Sequence, residues 1–80
     1  MRSKSLRMNR LIMQNLSITQ DRIDLDMLVN NVFHDIKHFD TNVELKHIYS
    51  AIKSLHHEQD LFIFSNGTVS GTRKGLVKYN

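Results

Sequence analysis

The stretch "ELKHIYSAIKSLHHEQDLFIFSNG", residues 44–67, decides the fold, because it passes from a helical pattern to a hairpin pattern without a break. Leu45, Ile48, Ile52 and Leu55 recur at spacings that place them on one side of a helix. This periodicity predicts a helix over about residues 43–58 with a single buried stripe.

Strand patterns follow that helix. The "FIF" of residues 62–64 consists of aromatic and β-branched types, and the "TVS" of residues 68–70 can return beside it. Asn66-Gly67 lies between them and favours a type I′ turn, in which both central residues have positive φ. We therefore expect a β-hairpin directly after the helix.

The side of the helix opposite the buried stripe carries no acid. Lys46, Ser50, Lys53 and His57 lie opposite the stripe, and His47 and Ser54 lie at its edge. Glu44 and Glu58 fall on the flanks. A helix that only has to be soluble usually mixes both signs of charge on its wet side, so this face indicates a specific use.

Two further helices are predicted upstream, because proline is absent and glycine occurs only after residue 66. The first runs from Leu6 to Leu16, and the second starts at Asp24 or Asp26. The apolar residues of the second helix keep helical spacing and should make it the most buried one. They are Leu25, Leu28, Val29, Val32, Phe33 and Ile36.

The connections are less determined by pattern. Residues 21–25, "DRIDL", either form a short strand or open the second helix. Asp40, Thr41 or Asn42 is expected to cap the third helix, which leaves the tight connection of a helix-turn-helix. Residues 76–80, "LVKYN", either pair with the sheet or fray.

The length of 80 residues indicates one domain, 1–80, with a thin core and with residues 1–5 expected to be flexible. The absence of cysteine rules out disulfides and thiolate zinc sites, so a reducing cytoplasm is the expected location. The apolar residues near the N-terminus are interrupted by polar ones, as a secretory signal would not be. No run approaches the roughly 20 apolar residues of a membrane span, and no membrane association is expected.

The formal net charge of +3 is unevenly distributed. Residues 1–10 and 61–80 contain basic residues and no acid, whereas residues 21–40 hold five aspartates. This asymmetry predicts a basic surface formed by the two ends of the chain and the third helix, with the aspartates on another side.

Three helices followed by a hairpin is the order found in the winged helix-turn-helix superfamily, which the chain resembles from about Leu6 to Lys74. The resemblance is one of pattern and is carried by residues 44–64 and the Asn66-Gly67 hairpin. It implies an α+β, mainly α fold, with a three-helix helix-turn-helix core followed by a C-terminal β-hairpin wing. It also implies that the third helix enters the major groove of double-stranded DNA and that the wing contacts the adjacent backbone or the minor groove.

Carried over to this sequence, the resemblance makes the polar residues of the third helix candidate DNA contacts. They are Lys46, His47, Ser50, Lys53 and Ser54, with His57 on the same face. Arg73 and Lys74 are the corresponding wing candidates, although they follow the hairpin tip, which is neutral. Lysine and serine side chains donate to phosphates and base edges, and an acid there would repel phosphates.

Two hypotheses of function follow. The first is a small DNA-binding transcriptional regulator, of the size found in bacteria and their phages or plasmids. The second is a protein-interaction module of winged-helix form, an inhibitor or adaptor, in which Phe39, Tyr49, Phe62 and Phe64 would anchor a protein partner.

Other chemistry is weakly indicated. His34 and His38 stand at i, i+4 on a helix, but a zinc site needs further ligands, so no metal and no cofactor are expected. No arrangement of nucleophile, base or paired carboxylates stands out, and we do not expect an enzyme.

Two packing predictions complete the sequence-based interpretation. Ile52 and Leu55 should be buried against Val32, Phe33 and the strand that contains Phe62 and Phe64. The first helix has apolar residues to spare, which predicts a homodimer formed through it. These are Met8, Leu11, Ile12 and Met13.

Overall fold

The computed structural model describes residues 2–19, 21–38 and 40–79, with side chains from Leu6 onward. Within them the chain forms four helices and three strands, which confirms the predicted fold class, α+β and mainly α. In chain order these are α1 (Arg2–Ser17), β1 (Ile23–Asp24), α2 (Leu25–Ile36), α3 (Leu45–His57), β2 (Leu61–Ile63), β3 (Thr68–Gly71) and α4 (Arg73–Lys78).

The core lies where α1, α2 and α3 pack against one another and against one side of the sheet. Ile52 and Leu55 are buried in it, as predicted. The predicted stripe of α3 is wrong at its start, because Leu45 is 43% exposed and Val43, just before the helix, is buried instead. The chain enters α3 from the core side, so the residue before the first turn takes the inward position.

Helix α1 contributes more to this core than its amphipathic pattern suggested. Met8, Ile12, Met13 and Leu16 are buried, and Leu11 packs against them partly exposed. The apolar side chains that were expected to form a dimer interface therefore lie inside the single chain. The reason for predicting a homodimer through the first helix is lost.

The sheet is antiparallel with the strand order β1-β3-β2, so β3 is central. Of the two alternatives for residues 21–25, the short strand is correct, and Ile23 pairs with Val69. Leu61 and Val69 are buried against the helices. The strand that contains Phe62 contacts α3, as predicted, but Phe62 itself is 49% exposed and does not take an inward position. Strand alternation gives that inner position to Leu61.

The hairpin turn differs from the predicted type I′. Gly67 has a φ of 86°, but Asn66 is not among the described residues with positive φ. The Gly67 N–H donates to the Phe64 carbonyl at 3.0 Å, and the Phe64 N–H donates to the Thr68 carbonyl at 2.8 Å. This is the pattern of a three-residue loop in which a turn is followed by a left-handed glycine. The Asn66 Oδ1 accepts the Thr68 N–H at 3.2 Å, which further fixes the loop.

Helix α3 starts later than predicted and is capped differently. Residues 37–44 connect α2 to α3, so the connection is longer than the expected tight turn. The N-cap is Glu44, not Asp40, Thr41 or Asn42. Glu44 and His47 form a reciprocal capping box, in which His47 Nδ1 accepts the Glu44 N–H at 3.0 Å.

The end of α3 is a Schellman motif built on a non-glycine residue. The Asp60 N–H donates to the Leu55 carbonyl at 2.9 Å and the Gln59 N–H to the His56 carbonyl at 3.0 Å. Gln59 takes the left-handed position with a φ of 67°. This turn directs the chain straight from α3 into β2.

The C-terminal residues form a helix, α4, so both alternatives predicted for residues 76–80 are wrong for those that the structure describes. Thr72 caps α4, because its Oγ1 accepts the Gly75 N–H at 3.1 Å and donates to the Gln59 carbonyl at 2.7 Å. The cap thus joins the start of α4 to the end of α3.

A buried carboxylate holds α4 in place. Asp60 is fully buried, and its Oδ2 accepts a hydrogen bond from Lys78 Nζ at 3.3 Å. Its Oδ1 has no hydrogen-bond partner within the described residues, and Lys74 Nζ lies 3.9 Å away. The hydrogen bond from Lys78 to Asp60 raises the pKa of that lysine. Two lysines of α4 thus face one desolvated charge.

Candidate nucleic-acid interface

The outer face of α3 is accessible along its whole length. All six residues predicted to contact DNA from this helix are exposed: Lys46, His47, Ser50, Lys53, Ser54 and His57. The opposite side of α3 is held in the core by Ile48, Ile52 and Leu55. The core packing therefore fixes the orientation of α3 and leaves its polar face to the solvent.

An acid borders the N-terminal part of this face. Glu44 Oε1 lies 3.6 Å from Lys46 Nζ, and the Glu44 N–H is bound by His47. Both members of the ion pair are largely exposed, and an exposed pair contributes at most about 1 kcal/mol, so a phosphate can replace the carboxylate. The His47 ring keeps only its Nε2 side for an external partner.

In the C-terminal half of the face, Lys53 forms no ion pair with an acid among the described residues. Ser50, Lys53, Ser54 and His57 are exposed, and the helix contains no acidic residue from Leu45 to His57. These positions are three or four residues apart, so they adjoin one another along the helix surface. The sequence-based prediction therefore agrees best with the structure in the last two turns of α3.

One flank of the face is closed by a contact with α2. The Tyr49 hydroxyl donates to Asp26 Oδ1 at 2.6 Å, and this hydrogen bond raises the pKa of Tyr49, with a smaller contribution from burial. The contact ties the first half of α3 to the first turn of α2. Asp26, one of the acidic residues expected on another side, is thus occupied by this tyrosine.

The two basic residues assigned to the wing lie elsewhere. Arg73 and Lys74 are in the first turn of α4, because the Thr72 cap starts a helix immediately after β3. Lys74 Nζ donates to the Glu58 carbonyl at 2.7 Å and faces Asp60. Lys74 thus stabilises the end of α3, and Arg73 stays exposed.

The sheet carries a cluster of aromatic and cationic side chains that the sequence did not reveal as a group. The Phe62 ring contacts the Phe64 ring with centroids 4.9 Å apart and the His56 ring at 5.2 Å. The Arg22 guanidinium carbon lies 3.9 Å from the centre of the Phe64 ring. The i, i+2 spacing of the two phenylalanines could have revealed a shared face, but nothing in the sequence placed Arg22 beside them.

Metal chemistry gains no support from the described residues, which contain no group of three or more histidine, aspartate or glutamate residues able to hold an ion. His34 and His38 lie with ring centroids 5.5 Å apart and edge to face. His56 Nδ1 accepts the Ile63 N–H at 3.2 Å, so this ring has a structural partner. In the part of the chain that the structure describes, no helix has the length and apolar character needed to cross a membrane.

No protein-family model matches the chain, and neither a curated protein nor a solved structure matches it significantly.

Proposed function

We propose that the protein is a small DNA-binding regulator that inserts α3 into the major groove of double-stranded DNA. The observation that carries the proposal is the exposed outer face of α3, with Lys53 and His57 in its last two turns and no acidic residue within the helix. The other side of the helix is anchored in the core, so this face is presented rigidly.

Simple electrostatics and geometry support this use of the helix. The major groove is wide enough to admit an α-helix. Lysine Nζ groups donate to phosphate oxygens or guanine edges, and the small hydroxyls of Ser50 and Ser54 allow the helix to approach closely. The neighbouring acid at Glu44 is already paired with Lys46 and is displaced when a phosphate approaches.

The element order also supports the proposal. A β-hairpin follows α3 after residues 58–60, and β1 pairs with the returning strand of that hairpin. The hairpin is the element that the resemblance to winged helix-turn-helix domains led us to expect after the third helix, whereas its pairing with β1 was not predicted. Of the two basic residues assigned to backbone contacts, Arg73 is the one we retain, since Lys74 is held by Glu58 and Asp60.

The regulator is proposed to act in the cytoplasm. One α3 reaches a half-site, so pairing of two copies on DNA stays part of the proposal. The interface is no longer assigned to α1, whose apolar residues are buried within the chain.

The alternative hypothesis of a protein partner receives less support. Phe39 lies outside the described residues, Tyr49 donates its hydroxyl to Asp26, and Phe64 is covered by Arg22. Of the aromatic residues proposed to anchor a protein partner, Phe62 is the one among the described residues that is exposed enough to favour an external contact.

The test compares substitutions of two lysines, each of which lowers the net charge by the same amount. Lys53→Gln should weaken duplex binding and lower the salt slope of log K by about 0.9, the value for one lost phosphate contact. Lys37→Gln, at the exposed end of α2, is the matched control and should leave that slope nearly unchanged. Equal effects of the two variants would show that α3 is not the contact surface.

A further inference from the structure

The outer face of the sheet is open and partly aromatic. Phe62 is 49% exposed in the middle of β2, a high value for a phenylalanine in a strand. Its cross-strand partner is Ser70, and Phe64 hydrogen-bonds to Thr68 through the backbone. The rings are therefore bordered by small polar side chains on β3, and the face is not an extension of the core.

An arginine and a histidine side chain flank these rings. The guanidinium of Arg22 covers the Phe64 ring, and the His56 imidazole meets the Phe62 ring edge to face. Asp24 pairs with Thr68, which places it on the same face of the sheet, and Asp21 precedes Arg22, but Arg22 forms no ion pair with an acid among the described residues. Its charge is available to a ligand that lies across the rings.

The face is continuous with the outer face of α3. His56 belongs to α3 and touches Phe62, and His57 is the next residue on the exposed side of the same helix. Lys53 lies one turn earlier. A chain of phosphates that leaves α3 near its C-terminal end would therefore meet the aromatic rings directly.

Flat aromatic rings, a stacked guanidinium and nearby positive charge form the combination that binds unpaired bases. Bases stack on phenylalanine rings and on arginine planes, whereas the phosphates follow the cations. A duplex offers its bases only at their edges, so these rings have no stacking partner in intact double-stranded DNA. The small polar residues on β3 make the face a poorer match for the apolar centre of a protein interface.

We propose that the outer face of the sheet binds an unpaired stretch of single-stranded DNA by stacking bases on Phe62 and on the Arg22–Phe64 pair. The choice of DNA rests on the proposed function of α3, whose face it continues. The protein would then hold duplex DNA at α3 and an opened or single strand across the sheet.

The experiment measures the fluorescence anisotropy of a labelled oligothymidylate of about 12 nucleotides, within the range of known single-strand site sizes. The full-length protein should bind it, and Phe62→Leu, which keeps apolar bulk but removes the ring, should weaken binding about 10-fold. Phe62→Tyr should retain the affinity. Val77→Ala, at an exposed apolar position of α4, is the control and should have no effect.

The same variants are titrated with a labelled duplex and with an oligouridylate of equal length. Unchanged duplex binding by Phe62→Leu supports separate surfaces. If Phe62→Leu binds oligothymidylate as tightly as the parent, the ring serves another contact, such as one with a protein. That result overturns the inference. Tighter binding of oligouridylate overturns the choice of DNA. Absence of single-strand binding with duplex binding intact overturns this inference alone, and absence of both also overturns the function proposed for α3.

Discussion

Replacing Gly75 with alanine tests how α4 is held against the rest of the molecule. A Cβ atom at this position would lie 2.6 Å from the carbonyl carbon and 2.7 Å from the Cα of Asp60, and closer still to its carbonyl oxygen. Carbon atoms at rest are about 3.5–4.0 Å apart. Because the atoms in the way belong to the backbone, α4 has to move away from Asp60.

Two opposing effects set the magnitude. Alanine favours the helical state over glycine by about 1 kcal/mol. Displacing α4 separates the buried Asp60 carboxylate from Lys78 and Lys74, and removal of the partner of a buried charge costs about 3–5 kcal/mol. The lysines are themselves about half exposed, so that range is an upper bound. From the lower end of that range, less the gain in helix propensity, we expect a net loss of about 2 kcal/mol in the free energy of unfolding.

Urea unfolding followed by circular dichroism measures this change, which should lower the midpoint by about 1 M. Val77→Ala, on the exposed side of α4, is the matched control and should change the midpoint little. A Gly75→Ala variant as stable as the parent or more stable would mean that helix propensity dominates and that the close approach of α4 to Asp60 has been misjudged.

Three further predictions concern α3 and its neighbours. Ile52→Ala should lower the free energy of unfolding by about 2–5 kcal/mol, whereas Leu45→Ala, at a 43% exposed position, should lower it much less; equal losses in urea unfolding would contradict the inward assignment. Gln59→Gly should raise the melting temperature, because a left-handed non-glycine residue carries a strain of about 1–2 kcal/mol, and a lowered melting temperature would argue against that conformation. The raised pKa of Tyr49 means that its contribution to stability is complete below the ordinary tyrosine value of about 10 and is lost as pH rises through the higher folded-state pKa. Unfolding curves of Tyr49→Phe should thus depend less on pH in alkaline solution than those of the parent, and parallel profiles would exclude the Asp26 contact.

Helical periodicity predicted the long-range architecture because it reports directly on burial. Most of the stripe of α2 and the central residues of α3 are buried, although Leu25 and Phe33 of α2 are only partly so, and the fold class followed from the order of these patterns. Periodicity could not place the start of α3, because Val43 and Leu45 are both apolar and only the path of the connection decides which one faces the core.

The local chemistry at chain reversals was harder to predict. Asn66-Gly67 marked the hairpin correctly, but the number of loop residues, and not the dipeptide alone, selects the turn. Helix α4 was missed because its capping residue Thr72 resembles a strand former and because Asp60, its main partner, is distant in sequence. A buried ion pair of this kind leaves no periodic pattern.

The candidate site was predicted in part. The exposure of all six α3 residues follows from the same helical periodicity that predicted the buried stripe. The capping role of His47 and the pairing of Glu44 with Lys46 depend on how the helix begins, and helical periodicity does not predict that. The stacking of Arg22 on Phe64 depends on sheet pairing between distant segments, so no local pattern could indicate it.

The measurement that tests the central claim most directly is a titration of the protein with a labelled random-sequence duplex over a series of salt concentrations. With Lys46, Lys53 and Arg73 as phosphate contacts, log K should fall linearly with log salt concentration with a slope of about −3. Absence of duplex binding even at low salt, or binding that does not weaken as salt is added, would contradict the proposal that α3 holds DNA.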